Sequence, residues 1–596
     1  MPDYHAPLRD IRFVMNEVLN VEQAFADMGY EDCGSDTLDA VLEEAAKFCE
    51  NVLSPLNQSG DQEGCQWSEA GVKTPAGFRE AYQQFIENGW ASISGPPEFG
   101  GMGLPNTLAM AVSEMASTAN WSWSMYPGLS KGCSNTIFAH GTPEQKSTYL
   151  PKLVSGEWTG TMCLTEPHCG SDLGMLRTKA EPRRDGSFAI TGTKIFISAG
   201  DHDMSDNIVH IVLARLPDAP KGTKGISLFI VPKFLPNEAG EPGERNTVNC
   251  GSIEHKMGIK ASATCVMNFD GATGYLIGPE NRGLNCMFTF MNMARLGTAM
   301  QGLSSTELSY QGALKYAKER LQMRSLSGPK NPDGPADPII VHPDVRRMLL
   351  TQKAFGEGGR MLFYWLALLE DQINRAGSEA ERKSLDDLMG FMTPIAKAFM
   401  TETSIETTNL GMQIYGGHGY IAEWGMEQVA RDARIGTIYE GTTGIQAIDL
   451  LARKVLASRG DLLRRFTSVV EAFCKENADN SAVAPYVATL GKMLAKWGEV
   501  TMELGMKCMQ DPEEAGAASV DYLMYSGYVV FGYMWARMAL VAQQAIANGS
   551  DEGFYKAKLH TARFYFERLM PRADAHIVSM RSGAGNVMDI DAELFA

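Results

Sequence analysis

The sequence predicts an α+β chain in four parts. An N-terminal α-helical domain covers 1–158, and a central β domain, barrel or sandwich, covers 159–278. A C-terminal α-helical bundle follows over 279–453, with an appended α-helical domain over 454–596. Three observations predict this order. Apolar residues recur at three- and four-residue steps in the first part, at two-residue steps in the second, and at helical steps again after Pro279. Glycine- and proline-rich loops stand at the changes of period. Finally, 596 residues exceed what one hydrophobic core can organise, so several packed units and room for a large cofactor are expected.

The first helical stretch carries DTLDAVLEEAAKFCENVL from Asp36, then FREAYQQFIENGW and LAMAVSEMA. GPPEFGGMGLP, from Gly95 to Pro105, interrupts it, because its Gly and Pro density is incompatible with a regular element. The β part carries FAITGTKIFIS, NIVHIVLAR and GISLFIVPKF, rich in β-branched and aromatic residues and bounded by turn residues. Helical spacing resumes at GLNCMFTFMNMARLG and recurs from Asp344 to Leu369 and from Leu385 to Leu410, with a Pro/Gly-rich loop at Ser325–Pro338. The appended part includes YSGYVVFGYMWARMALVAQQAIAN. Tyrosines, Arg537 and two glutamines interrupt its apolar run, so burial against protein is expected rather than stable membrane insertion.

Composition narrows the function. The formal net charge of −18 repels phosphate backbones and anionic lipid, so nucleic acid is not an expected partner, and an anionic ligand needs a local basic patch. Eleven cysteines without a CxxC pair suit neither a disulfide framework nor a zinc site, and no metal is expected. With no apolar leader and no segment of 18 apolar residues, the chain reads as cytoplasmic.

Three loops carry the chemistry. MCLTEPHCGSDLG enters the β part, where glycine between small polar residues lets backbone amides and a hydroxyl approach an anionic or heteroaromatic ligand. In KIFIS, Phe196 and Ser198 lie two apart and so on one strand face, an aromatic surface beside a hydroxyl suited to a flat, nitrogen-edged ring. In QIYGGHGYIAEWGMEQVARDARIGTIYEGTTGIQ, Glu440 sits between apolar residues and Gly441. Desolvation there raises a carboxylate toward the range of a useful base.

These motifs, in this order and spacing from about Asp36 to Arg453, resemble the acyl-CoA dehydrogenases. The resemblance implies an FAD-dependent oxidoreductase in which Glu440 removes the α-proton of an acyl-CoA thioester. The β-hydrogen then passes as hydride to flavin N5, giving a trans-2-enoyl-CoA. It implies that the backbone N–H of Glu440 polarises the thioester carbonyl together with a flavin ribityl hydroxyl. Some members place the base just before a helical arginine. Here that arginine is Arg295 and the preceding residue, Ala294, has no acid.

Flavin contacts carry over to Met162, Leu164, Thr165, Ser171, Phe196, Ser198, Thr442 and Gly444. Arg320, Gln413, Gly416 and Gly417 resemble the set that reaches the adenine and pyrophosphate end from a neighbouring subunit. Ser171, Arg295 and Gly441 are expected near the thioester or CoA arm. Phe196 stands where many members have Trp, and Leu-Gln-Met-Arg follows Arg320 where Phe-Gly is usual. Shared flavin contacts and the appended helices imply a homodimer, and an electron-transfer flavoprotein is the implied acceptor. The opening YHAPLRDIRFVMNEV and the appended domain are similar to bacterial members acting on 3-(methylthio)propanoyl-CoA, a layout shared with medium- and long-chain members. The alternatives are an acyl-CoA oxidase and, in another class, a flavin-containing protein that binds DNA or CoA esters without turnover.

Overall fold

The computed structural model describes residues 2–596. It divides into two compact units, one of residues 36–297 and one of residues 2–35 with 298–596. Thus residues 2–35 group with the C-terminal helices rather than with the N-terminal helical domain that follows them in sequence.

The 36–297 unit has helices Ser35–Phe48, Phe78–Glu87, Asn106–Ala119, Trp121–His140 and Pro143–Ser155 before its sheet. Proline 143 at the first helical position and a reciprocal Thr142–Gln145 capping box start the last of these. A short hairpin, β1 (Gln66–Ser68) and β2 (Gly71–Lys73), interrupts the helices, and its three-residue strands are too brief to leave a period in the sequence. The Gly95–Pro105 segment contains only the single turn Pro97–Phe99.

The central strands are β3 (Trp158–Cys163), β4 (Lys179–Pro182), β5 (Phe188–Ser198), β6 (Asn207–Ala214), β7 (Ser227–Pro232), β8 (Phe234–Pro236), β9 (Pro242–Arg245), β10 (Val248–Ile253) and β11 (Thr264–Ile277). The main sheet runs β3-β6-β7-β11-β5-β4, with β10 also on β11, while β8 and β9 pair separately. Among the pairings of these strands with one another only β3–β6 is parallel, with a further parallel bridge between Lys179 and Arg215. β11 pairs with β5 and β10 along its first part and with β7 at Tyr275–Ile277, so one long strand belongs to two sheet halves.

The two-residue period then sorts side chains between two cores. Val209, Ile211 and Leu213 of β6, with Leu228 and Ile230 of β7, pack against Ile137, Leu150, Leu153 and Phe290 of the flanking helices. Val212 and Ala214, with Phe229 and Val231, pack against Ile190, Ile197, Cys265 and Phe269 of the other sheet half. β6 is buried along its whole length, as a strand covered on both faces must be.

In the other unit the long helices are Gly283–Glu319 from Thr298 onward, Pro343–Asn374, Glu379–Tyr415 and Glu513–Ala547. The last contains the apolar run expected to be buried against protein, and it lies inside the unit. Phe531 meets Phe399 at 4.9 Å, and Trp535 donates to the Ala354 carbonyl at 3.0 Å. At Gly527 a Cβ would fall 2.1 Å from the Phe399 ring, so glycine is what lets the two helices approach there. Among the described residues no helix is long and apolar enough to cross a membrane.

The N-terminal segment is held in this unit by buried charge. Asp10, on helix Leu8–Arg12, accepts from Arg360 and from Lys558, which come from helices Pro343–Asn374 and Gly553–Phe564. Arg360 also meets Glu307 at 2.9 Å, and Lys558 meets Glu357 at 3.0 Å. Burial pushes the Asp10 carboxyl up, but the Lys558 ammonium and the Arg360 guanidinium outweigh it and hold the group well below the usual carboxylate range. A folded-state depression of this kind stabilises above the ordinary aspartate range and fades as pH falls through the folded value. Replacing Asp10 by Asn removes the shared anion and leaves two buried cations undercompensated. The expected cost is about 3–5 kcal/mol, read from the denaturant midpoint. A midpoint indistinguishable from that of the unaltered protein would show that the network is not what fastens the segment.

Candidate active-site loops

In the 36–297 unit, the loop after β3 is built around a buried ion pair. The Lys194 ammonium, fully buried on β5, donates to the Leu164 carbonyl and to Glu166 Oε1, both at 2.9 Å. The Glu166 carboxylate also accepts from Arg177 N at 2.7 Å, Thr178 N at 3.0 Å and Thr178 Oγ1 at 2.6 Å. Burial raises the Glu166 carboxyl and the Lys194 charge lowers it, and the pairing wins, leaving it below its ordinary value. Ile195 N donates to the Thr165 carbonyl at 2.9 Å, and Glu166 and Cys169 exchange backbone hydrogen bonds at 2.9 and 3.1 Å. The course of Leu164–Cys169 is therefore set before any ligand arrives.

Glu166, His168 and Cys169 bring one potential metal donor each within 4.8 Å of one another, a convergence the sequence spacing did not suggest. The protein's own donors already occupy Glu166, and His168 Nε2 donates to the Met175 carbonyl at 3.0 Å.

Met162 at the end of β3, Leu164 and Thr165 are partly exposed, and Ser171 is exposed. On β5 the register against β11 slips between Lys194 and Ile197, placing one extra residue on β5. Phe196 lies in this bulge with φ +58°, and 59% of it is exposed. It and the half-buried Ser198 flank the buried Ile197, as the period of two requires, but alternation fails between Lys194 and Phe196. A phenyl ring turned outward by strained backbone, next to a fixed loop of partly exposed groups, fits the face of a flat heteroaromatic cofactor. Arg295 is buried on helix Gly283–Glu319 within the same unit.

The other unit carries the remaining loops. Helix Glu379–Tyr415 ends where Gly416 takes φ +59°. Tyr316 stacks on Tyr415 at 4.2 Å, its hydroxyl is 2.9 Å from His418 Nδ1, and His418 stacks on Trp424 at 4.5 Å. This aromatic packing holds the turn Gly416–Tyr420. A Cβ on Gly416 or Gly417 would meet nothing within 4 Å, and Gln413 is exposed beside them. The surface is thus open to an extended ligand. Arg320, also exposed, begins the segment whose far end is set by Asp337. That fully buried carboxylate accepts from Ser325 N at 2.8 Å, Lys330 N at 2.9 Å and Asn331 N at 2.7 Å, and is held down to about 2 against its desolvation.

Glu440 lies in the turn before helix Thr443–Ile448, with φ +56°, followed by Gly441 at φ +88°. Glu440, Gly441 and Thr442 are half-buried and Gly444 is exposed. Thr442 caps the helix, its hydroxyl accepting from Ile445 N at 3.2 Å. The roles of Lys194 and Glu166 were not read from the sequence although both stand in the motifs. Lys397 and Gln446, which touch the Glu440 turn, were also missed. The available signal for Lys397 was a single cation inside the apolar run FMTPIAKAFM.

Comparison with known proteins accounts for these loops together. The chain matches the acyl-CoA dehydrogenase N-terminal domain over residues 35–157, the middle domain over 161–272 and the C-terminal domain over 281–456. Residues 466–591 match an acetyl-CoA dehydrogenase C-terminal-like domain. It is similar to 3-methylmercaptopropionyl-CoA dehydrogenase of Ruegeria pomeroyi, 44% identical over 96% of this chain and 97% of that one. It is also similar to a broad-specificity linear acyl-CoA dehydrogenase of Mycobacterium tuberculosis, 34% identical over the full length of both. An acyl-CoA dehydrogenase from Bacillus anthracis, solved with FAD, shares the fold with a TM-score of 0.75 at 22% identity, over 92% of this chain and 89% of that one. The α+β architecture and the enzyme class expected from the motifs agree with these matches, and this chain belongs to the acyl-CoA dehydrogenase family.

Proposed function

We propose that this enzyme desaturates a short acyl-CoA, 3-(methylthio)propanoyl-CoA, at its α,β bond, with Glu440 as the base. The observation that carries the reading is the turn at Glu440. A non-glycine residue held at φ +56° next to a glycine is costly backbone, of order 1–3 kcal/mol, and here it belongs to a half-buried acid on a capped helix terminus. Full-length similarity to the Ruegeria pomeroyi enzyme supports the choice of substrate.

Bound FAD supplies the acceptor for the β-hydride. The chain's own residues do the rest. Glu440 takes the α-proton onto its carboxylate, and its backbone N–H donates to the thioester oxygen as charge develops there. Acyl ligand covering a half-exposed carboxylate completes its desolvation and raises its affinity for that proton. In the 36–297 unit flavin contacts fall to Met162, Leu164, Thr165, Ser171, Phe196 and Ser198, and thioester or CoA contacts to Ser171 and Arg295; in the other unit Thr442 and Gly444 are flavin contacts and Gly441 a thioester contact. Arg320, Gln413, Gly416 and Gly417 serve the cofactor of a second copy, which makes the active form a homodimer, with an electron-transfer flavoprotein as oxidant. A flavin-binding protein without turnover is not favoured, given dehydrogenases among the full-length relatives.

Anaerobic addition of 3-(methylthio)propanoyl-CoA is expected to bleach the yellow enzyme, and Glu440→Gln to slow that bleaching about 10²- to 10⁴-fold while still binding the ester. Bleaching at an unchanged rate in the variant would remove Glu440 from the role. Lys194→Met leaves the Glu166 carboxylate buried without its counter-charge. It is expected to cost about 3–5 kcal/mol and to release flavin on gel filtration. A variant that keeps its colour and its unfolding midpoint would mean that the ion pair does not organise the loop. Light scattering should give twice the chain mass for the yellow, active protein, and an active holo monomer would contradict the sharing of cofactor contacts.

A further inference from the structure

The turn that carries Glu440 is gripped from behind. Gln446, fully buried on helix Thr443–Ile448, donates its Nε2–H to the Glu440 carbonyl at 2.9 Å. Lys397, fully buried on helix Glu379–Tyr415, donates its Nζ–H to the Gly441 carbonyl at 2.7 Å. Thr443, the next residue but one, donates its hydroxyl to Glu402, five residues beyond Lys397 on that same helix. On the upstream side the Tyr439 hydroxyl donates to Gln301 Oε1 at 2.6 Å, and Gln301 Nε2 donates to the Asp432 carbonyl at 2.9 Å.

Successive carbonyls at 440 and 441 are therefore each fixed by a buried side-chain donor, and these two residues have φ +56° and +88°. An L-residue other than glycine leaves the left-handed region unless its surroundings hold it there. Fixing the plane of the 440–441 peptide, with the Tyr439 ring anchored on the other side, determines where both the carboxylate and the N–H of Glu440 point. Gly441 completes the arrangement, since a Cβ there would fall 2.6 Å from Gln446 Nε2. The two carbonyls in turn give acceptors to the buried Lys397 Nζ and Gln446 Nε2, which without them would carry a desolvation cost.

We propose that Gln446 and Lys397 are positioning residues for the reaction: they hold Glu440 in its left-handed conformation and so aim its carboxylate and its N–H. The inference rests on the reading of Glu440 as the base. Neither residue is required to touch substrate, so their loss should fall on the rate of proton removal and not on ester binding. A displacement of about 1 Å at a reacting group is worth on the order of 100-fold in rate.

The test compares Gln446→Met, Lys397→Met, Lys397→Arg and Glu440→Gln with the unaltered holoenzyme. The readouts are the anaerobic bleaching rate with 3-(methylthio)propanoyl-CoA, the Kd of its 2-enoyl-CoA product, and a crystal structure of Gln446→Met. Gln446→Met and Lys397→Met are expected to slow bleaching roughly 10- to 100-fold with the Kd changed by less than about threefold. Lys397→Arg, which keeps a donor, is expected to recover most of the rate. Independently of turnover, φ at residue 440 should return to negative values in Gln446→Met. Normal bleaching in both Met variants, or a φ that stays positive, overturns the inference, as does a rate loss matched by an equal loss of product affinity. Normal bleaching in Glu440→Gln overturns the base reading itself, whereas an inactive Glu440→Gln beside a normal Gln446→Met overturns only the positioning role.

Discussion

A charge taken out of water must find an opposite charge and hydrogen bonds for its remaining valences, and each unit of this protein is organised around one place where that requirement is met. In the 36–297 unit it is Lys194 with Glu166. The ammonium reaches a carboxylate and a carbonyl of the loop after β3, and the carboxylate gathers two backbone amides and a hydroxyl from the chain leading into β4. A loop proposed to meet the flavin thereby acquires one conformation. In the other unit Asp10, Arg360 and Lys558 do the same for chain segments more than three hundred residues apart in sequence. Removing either ion of such a set leaves its partner stranded, which is why these contacts govern the structure more strongly than the numerous surface pairs.

Strained backbone is placed where the chemistry is expected. Nine non-glycine residues among those described take positive φ, and two of them are Phe196 and Glu440, the aromatic wall and the acid proposed for the reaction. Phe196 reaches that conformation through a bulge in β5, and Glu440 through a turn whose carbonyls are tied to Gln446 and Lys397. In both cases neighbouring secondary structure meets the cost, a strand register at Phe196 and side chains of two helices at Glu440. The phenyl at 196 in place of a larger indole still presents an outward ring, because the bulge and not the ring size sets its direction.

The order of helical and β parts was legible because burial imposes different periods on helices and strands, and long elements repeat their period often enough to read. The β1–β2 hairpin was not, since three residues cannot display a period of two. Glu440, Phe196 and the glycine loops were legible as motifs. Lys194 and Glu166 stood inside those motifs without a visible role, because an ion pair 28 residues apart in sequence is a statement about strand and loop geometry.

By itself the sequence determined the fold class and the family, since apolar periodicity follows local covalent geometry and the motifs are contiguous stretches of chain. Tertiary structure alone decided that residues 2–35 join the C-terminal helices and that β11 serves two sheet halves. It alone decided as well which donors hold Glu440 in a left-handed turn. Those outcomes depend on pairings between residues as far apart as Asp10 and Lys558, and no local pattern can encode the partner of a buried charge or carbonyl until the chain has folded back upon itself.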